Sequence, residues 1–305
     1  MEIGTQIIQK NNLEKLCLSL SQINIRYIEL GPEVLASLSL EQVTKLSRLF
    51  RKQGIRVYSV HAPYGDKADL CALEERKRKK AIVSHKKIMN MMREFNSSIL
   101  VVHPGDKTEK ENVHHRLNLL YNSLEELILC AKENKIILAV ENMPPGFPGD
   151  SAQELKRMLE EINSPYVGIC FDTGHSHIGG ALREDFKTLQ PYIVTFHIHD
   201  NDGVRDLHLQ PPYGTIPWEG FVRELTSTSS QNPLIMECFP WGKVDFEWVK
   251  REIELLFGGK LIKNVLSPHG YIRCPSCGHF FFEDNGNTVC YCSFKGSSNS
   301  YIMDP

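Results

Sequence analysis

Val167-Gly168-Ile169-Cys170-Phe171-Asp172-Thr173-Gly174-His175 carries the pattern that decides the fold. The run Val167–Phe171 is apolar or small throughout, with no polar alternation, which is how a strand buried on both faces reads. A carboxylate and then an imidazole stand where that strand should end. The design recurs on both sides. Upstream lie Ser59-Val60-His61-Ala62-Pro63-Tyr64, Val101-Val102-His103-Pro104-Gly105 and Ala139-Val140-Glu141-Asn142. Downstream lie Thr195-Phe196-His197-Ile198-His199-Asp200 and Ile235-Met236-Glu237-Cys238. Each apolar run finishes in one His, Asp or Glu.

Working outward, strands are expected at Ile3–Ile8, Tyr27–Leu30, Val57–His61, Ile99–His103, Ile137–Glu141, Val167–Asp172, Ile193–His197 and Leu234–Glu237. Amphipathic stretches separate them, among them Leu40–Gln53, Val113–Glu133, Ala152–Glu161 and Phe246–Phe257. Ser39 before Glu41-Gln42 and Ser151 before Gln153-Glu154 read as helix caps. Strand–helix alternation repeated eight times argues for parallel βα units. The count and the strand ends favour closure into an α/β (β/α)8 TIM barrel over residues 1 to about 258, a size such barrels need. Residues 259–270 read as a linker, 271–294 as a compact Cys-bearing hairpin turning at Asp284-Asn285-Gly286, and 295–305 as a loose tail.

Composition narrows the class. The 305 residues are 41% hydrophobic and 24% charged, ordinary for a globular protein, and the net charge of −2 offers no global field for nucleic acid. No apolar run approaches the roughly 20 residues of a membrane span, and Met1-Glu2-Ile3-Gly4 opens no signal peptide. The nine cysteines divide into scattered thiols expected to be buried (Cys17, Cys71, Cys130, Cys170, Cys238) and a C-terminal cluster. That division suits a reducing cytoplasm and a metal clip.

A single His or Asp at a strand end is ordinarily a cap or a satisfied polar group. Six in phase converge on the barrel face where active sites sit, and they are the ligand set of Zn2+, Mn2+ or Fe2+. Carboxylates that dense repel one another unless a cation joins them. His175, three residues after Asp172, and Asp206 and His208 in the following loop extend the set.

On these residues the barrel resembles the xylose isomerase-like TIM barrel superfamily, which includes sugar and sugar-phosphate isomerases and epimerases and the endonuclease IV type of apurinic endonuclease. The nine residues fall where the endonuclease type carries its zinc ligands. The resemblance implies one metal on His61, His103 and Glu141, a second on Glu141, Asp172, His197 and Glu237, and a third on His175, Asp206 and His208. The segment His197-Ile198-His199-Asp200-Asn201-Asp202-Gly203, with Gly214-Thr215-Ile216-Pro217-Trp218, is similar instead to sugar-phosphate isomerases and epimerases. The loop from His197 to Asp206 is shorter than in the repair enzymes, Met143–Gly149 differs, and no residues match their DNA-inserting loops. The metal site therefore carries over better than the DNA substrate.

Two chemistries follow. Phosphoester hydrolysis, with nucleic acid as one substrate class, would use all nine residues, with Glu141 and Glu237 as the catalytic carboxylates. Isomerisation or epimerisation of a sugar or sugar phosphate would need one divalent metal, with the same two glutamates as acid and base. A non-catalytic barrel would be expected to have lost several of these residues, and none is missing. His199 and Trp218 are candidate substrate contacts, but His177 and His199 could equally be groups that support the ligands, and core packing is an equal reading for Trp218 and Trp241. Arg76–Lys80 with Lys86-Lys87 reads mainly as a solvated helix face, and His85, His114 and His115 as surface residues. Cys274-Pro275-Ser276-Cys277 with Cys290-Tyr291-Cys292 resembles a zinc ribbon holding a structural Zn2+, with His279 able to replace one thiolate.

Overall fold

A computed structural model describes residues 2–8, 13–36, 38–109, 112–228 and 230–238, together with the backbone of three short strands between 272 and 289. Eight parallel strands close into a barrel in sequence order: β1 (Ile3–Ile7), β2 (Tyr27–Leu30), β3 (Arg56–His61), β4 (Ile99–Val102), β5 (Ile137–Glu141), β6 (Val167–Asp172), β7 (Ile193–Ile198) and β8 (Leu234–Met236). β8 pairs with β1, so the sheet has no free edge. The helices between them are α1 (Leu13–Gln22), α2 (Pro32–Ala36), α3 (Leu40–Lys52), α4 (Glu75–Met92), α5 (Val113–Asn134), α6 (Ala152–Ile162), α7 (Thr173–Ile178), α8 (Leu182–Leu189) and α9 (Trp218–Thr226). Both expected caps are present. Ser39 and Gln42 form a reciprocal capping box on α3, and the Ser151 hydroxyl accepts the Glu154 N–H on α6.

Alternate strand residues divide between two apolar layers. One set packs outward against the helices, with Phe171, Phe196 and Phe221 meeting there. The other fills the barrel interior with Ile99, Val101, Ala139 and Cys170. Two bulges adjust the phase. Between β2 and β3 the pairing passes from Ile28↔Val57 to Glu29↔Ser59, and between β6 and β7 from Ile169↔Ile193 to Cys170↔Thr195. The extra residues, Tyr58 and Val194, pack on the interior cluster. Each bulge gives its strand one additional inward step, which brings His61 and His197 into phase with Glu141 and Asp172 at the strand ends.

The loops leaving β3 and β4 are tied by a buried ion pair. Arg116 on α5 pairs with Asp69 and donates to the carbonyls of Asp106 (2.8 Å) and Cys71 (3.2 Å). No helix of the described residues is long and apolar enough to cross a membrane. Beyond the barrel, β9 (Ile272–Arg273), β10 (Phe280–Asp284) and β11 (Asn287–Val289) form an antiparallel sheet with Asp284 opposite Asn287, as a hairpin there requires. The expected helix at 246–257, the linker, the loose tail, Trp241, His279 and Cys274, Cys277, Cys290 and Cys292 lie outside the described residues.

Among the free thiols Cys17, Cys71 and Cys170 are buried, whereas Cys130 and Cys238 are only partly so. His114 and His115 are exposed as expected, but His85 is not. It lies on the inner face of α4 with Nδ1 on the Ala81 carbonyl (2.8 Å), and burial pulls its pKa down to about 4. Replacing Arg116 by Met strands the Asp69 carboxylate in the interior, so unfolding stability should fall by about 3–5 kcal/mol. Urea denaturation checks this, and a loss no larger than the ~1 kcal/mol of a surface pair would contradict it.

Candidate metal centre

All nine strand-end and loop residues meet at the C-terminal rim of the barrel. Glu141 lies at their centre. Its Oε2 faces His61 Nε2 (3.5 Å) and His103 Nε2 (3.2 Å). Its Oε1 faces His197 Nδ1 (3.2 Å) and His175 Nδ1 (3.5 Å). His197 Nδ1 also stands 2.9 Å from Glu237 Oε2 and 3.9 Å from Asp172 Oδ2. Asp206 Oδ2 joins His175 Nε2 (3.2 Å) to His208 Nε2 (3.1 Å).

The orientation of the rings tests whether a metal fits. His61, His175 and His208 each turn Nδ1 to a backbone carbonyl, those of Ala62 (2.7 Å), Asn142 (2.9 Å) and Glu237 (2.8 Å). A carbonyl only accepts, so Nδ1 keeps its proton, and once the ring is neutral it is the Nε2 lone pair that faces the carboxylates. Buried Oε2 atoms of Glu141 and Glu237 receive no directed hydrogen bond, although imidazole nitrogens surround them. Lone pairs aimed at carboxylate oxygens repel without a cation and become a ligand set with one. Donor atoms of Glu141, Asp172, His197 and Glu237 lie within 4.8 Å of one another, as do those of His61, Glu141 and His197. The residues present fit divalent metals.

Residues 19–256 match the family described as xylose isomerase-like TIM barrel. The chain belongs to that family. Among its relatives is an uncharacterized protein of Methanocaldococcus jannaschii, 32% identical over 164 residues; that match covers 52% of this chain and only 56% of the relative. A protein named probable endonuclease 4 from Mycoplasmoides gallisepticum is 24% identical over 237 residues, covering 69% of this chain and 75% of the relative. Among solved structures, a D-tagatose 3-epimerase-like protein superposes with a TM-score of 0.75 at 25% identity, covering 85% of this chain and 98% of its own. The Escherichia coli 3-keto-D-glucoside 4-epimerase shares the fold, with a TM-score of 0.71 at 15% identity over 84% of this chain and 98% of its own.

In this xylose isomerase-like barrel, the two candidate substrate contacts take the other roles open to them, Trp218 in the core and His199 within the cluster. Trp218 is buried in the core against Phe221, and its indole N–H donates to Asp200 Oδ2 (2.6 Å), so it presents no pocket surface. Asp200 also accepts the N–H groups of Asn201 and Ile216, fixing the base of the loop after β7. His199 is fully buried inside the cluster, with Nε2 3.0 Å from both Asp172 oxygens and its ring stacked on His208. A Cβ on Gly174 would come within 2.0 Å of that ring, so glycine is required where His199 lies across the turn into α7. Tyr64, stacked on His103 at 4.8 Å, supplies an aromatic wall that the quoted strand-end motif contained without a role. His177 bonds Thr215 Oγ1 (2.8 Å) in the β7–α9 loop. Two residues that the sequence reading passed over are Glu29 and Gln6, which reach the cluster from β2 and β1. An isolated charge inside Tyr27-Ile28-Glu29-Leu30 was the available signal.

Burial would raise the Glu141 carboxyl, but His197 and His103 outweigh it and hold it well below its ordinary range. Burial likewise opposes ionisation of Asp206, and His208 and His175 reverse that. For His208 burial lowers the pKa, and Asp206 more than compensates, raising it to about 9. A histidine whose folded pKa exceeds its unfolded value contributes stability that is complete below the unfolded value and is lost as pH rises through the folded one. Protein kept metal-free with chelator should therefore melt at lower temperature as pH rises from about 6.5 toward 9. Metal-loaded protein should show no such loss, because deprotonated ligands bind more tightly. Parallel melting profiles for the two forms would contradict the assignment.

Proposed function

We propose that this chain is a metal-dependent phosphoester hydrolase with a multinuclear, zinc-type centre, acting on substrates that include nucleic acid. One observation carries the reading. Asp206 draws His175 and His208 together at 3.2 and 3.1 Å, beside a quartet that already suffices for a single metal. His61, His103 and Glu141 would hold one ion, Glu141, Asp172, His197 and Glu237 a second, and His175, Asp206 and His208 a third. Zn2+ suits this His-rich set first, and Mn2+ and Fe2+ are compatible with it. Such ions supply Lewis acidity, making water a better nucleophile near pH 7 and neutralising charge on phosphoryl oxygens. The chain's own residues do the rest. Glu141 and Glu237 would serve as ligands, with Glu237 also orienting the attacking water, and Tyr64 walls the substrate side beside His103. The similarity to proteins named endonuclease 4 supports this reading.

A second reading has its own support. Glu141, Asp172, His197 and Glu237 form a complete buried group, and the D-tagatose 3-epimerase-like structure is similar over nearly its whole length. With one divalent ion there, Glu141 and Glu237, on either side of His197 Nδ1, would exchange a proton at the carbon beside a sugar carbonyl. His61, His103, His175 and His208 would then bind substrate.

Metal analysis separates the two. Under the hydrolase reading, His175→Ala/His208→Ala protein should contain one metal equivalent fewer than wild type and cleave abasic-site DNA at least about 100-fold more slowly. Glu141→Ala should lose two equivalents and all activity. An unchanged metal count in the double variant, with turnover of ketose or aldose phosphates by the wild type, would favour the isomerase. The C-terminal cysteines are proposed to hold a separate structural Zn2+ that none of these variants should remove.

A further inference from the structure

β1 and β2 contribute none of the nine rim residues, yet each sends one polar side chain into the barrel beneath them. Glu29 on β2 is fully buried. It accepts from three donors: His197 Nε2 (3.0 Å), Gln6 Nε2 (2.9 Å) and the Ser59 hydroxyl (2.7 Å). Gln6 on β1 uses its other amide hydrogen on Glu237 Oε1 (2.9 Å). Glu29 and Glu237 thus share one amide, and His197 lies between them.

We infer that Glu29 and Gln6 are positioning residues for the metal quartet, Glu29 setting the tautomer and aim of His197 and Gln6 setting the free edge of Glu237. His197 turns its two nitrogens to carboxylates on opposite sides. If the proton sat on Nδ1, the Nε2 lone pair would oppose the Glu29 carboxylate in the dry interior. With a cation in the quartet, the proton on Nε2 is donated to Glu29 and the Nδ1 lone pair joins Glu141 Oε1, Glu237 Oε2 and Asp172 Oδ2 as its ligands. Glu29 therefore selects the tautomer that can ligate. His61, His175 and His208 are each fixed through Nδ1 by a neutral carbonyl. His197 is turned the other way and backed by a charged acceptor, which makes its ligating nitrogen more basic. Gln6 completes the device by occupying Glu237 Oε1, so that Oε2, which lacks a directed hydrogen bond, faces the quartet. Glu29 has no exposed surface to offer a substrate. A buried carboxylate at this depth carries a desolvation cost that an apolar residue would avoid.

This inference rests on the quartet holding a divalent cation, the element common to both readings above. The test is Mn2+ binding to the full chain, with free Mn2+ followed by electron paramagnetic resonance, because thiolates of the C-terminal segment disfavour that ion. Glu29→Gln keeps the volume and removes the charge, Glu29→Leu removes the acceptor, and Gln6→Leu releases Glu237. Each should weaken Mn2+ binding by about 10- to 100-fold while leaving the circular dichroism spectrum of the fold unchanged. Long-range proton–nitrogen NMR of the metal-free protein, at a pH high enough for the ring to be neutral, should show His197 protonated on Nε2 in the wild type and no longer so in Glu29→Leu. If Glu29→Leu does not fold, the isosteric Glu29→Gln and Gln6→Leu decide. Wild-type protein that takes up no Mn2+ overturns both the quartet and this inference. Wild-type protein that binds Mn2+, with the variants binding equally well or His197 keeping its Nε2 proton in Glu29→Leu, overturns the positioning role alone.

Discussion

Carboxylates crowd this barrel rim more closely than a protein interior tolerates unaided. Glu29, Glu141, Asp172 and Glu237 are all buried, and Asp206 stands beside them. Two unit charges 4 Å apart repel by about 4 kcal/mol at the effective dielectric of a protein. Five such groups together would cost more than the net stability of an ordinary domain. Imidazoles interrupt the repulsion. His197 separates Glu29, Glu141 and Glu237, His175 separates Glu141, Asp172 and Asp206, and His208 separates Asp206 and Glu237. Protons on those rings can neutralise the cluster, but several rings are oriented with the ligating lone pair inward. A divalent cation satisfies the same charges without undoing that orientation.

The backbone makes the crowding unavoidable. A closed parallel sheet puts the ends of its strands on one circle, and in-phase registers such as Asp172↔His197 put neighbouring functional groups at the same height. The bulges at Tyr58 and Val194 matter here. Each adds an inward residue at the lower end of its strand, so that Ser59 and His61, and Thr195 and His197, take the interior phase. Bulk at the barrel floor and candidate ligands at its rim are thus two consequences of one adjustment. Below the rim the interior changes from apolar at Val101, Ala139 and Cys170 to the hydrogen-bonded layer of Gln6, Glu29 and Ser59. The candidate ligands sit on a framework whose positions are fixed by hydrogen bonds as well as by packing.

Much of this was legible in the sequence because it is periodic. Unalternating apolar runs ending in a titratable residue report both the parallel barrel and the face on which those residues meet. Strand limits were read within a residue or two, and Ser39 and Ser151 capped where expected. What escaped was whatever depends on register. Nothing in Tyr58 or Val194 as residue types announces a bulge. Glu29 and Gln6 lie within strands rather than at their ends, so the rule that found the rim passed over them. Trp218 resembled a pocket residue because it follows a loop beside the site, yet its indole is held in the core by Asp200. His85 has the surroundings of a surface residue in sequence, among lysines, but its helical phase turns it inward. Side-chain direction on a helix or a bulged strand is a three-dimensional fact to which a local reading has only partial access.

The choice between the two chemistries falls on the segment from Asp200 to Trp218. Glu141, Asp172, His197 and Glu237 serve either reaction. The β7–α9 loop adds Asp206 and His208, and the structure commits specific resources to placing them. Asp200 is buried and tied to three N–H donors at the loop base. His208 adopts a left-handed backbone, φ 46°, and is held by its Nδ1 bond to the Glu237 carbonyl. A non-glycine residue in that region costs on the order of 1–3 kcal/mol and persists where the surroundings over-determine it. A residue that merely lined a sugar pocket could make its contact from relaxed backbone and with a looser aim. Strained backbone, a fixed ring tautomer and a carboxylate shared with His175 are the requirements of a ligand, whose donor atom must be placed to within a fraction of an ångström. These demands on Asp206 and His208 are what the proposed third ion would account for and a sugar contact would not.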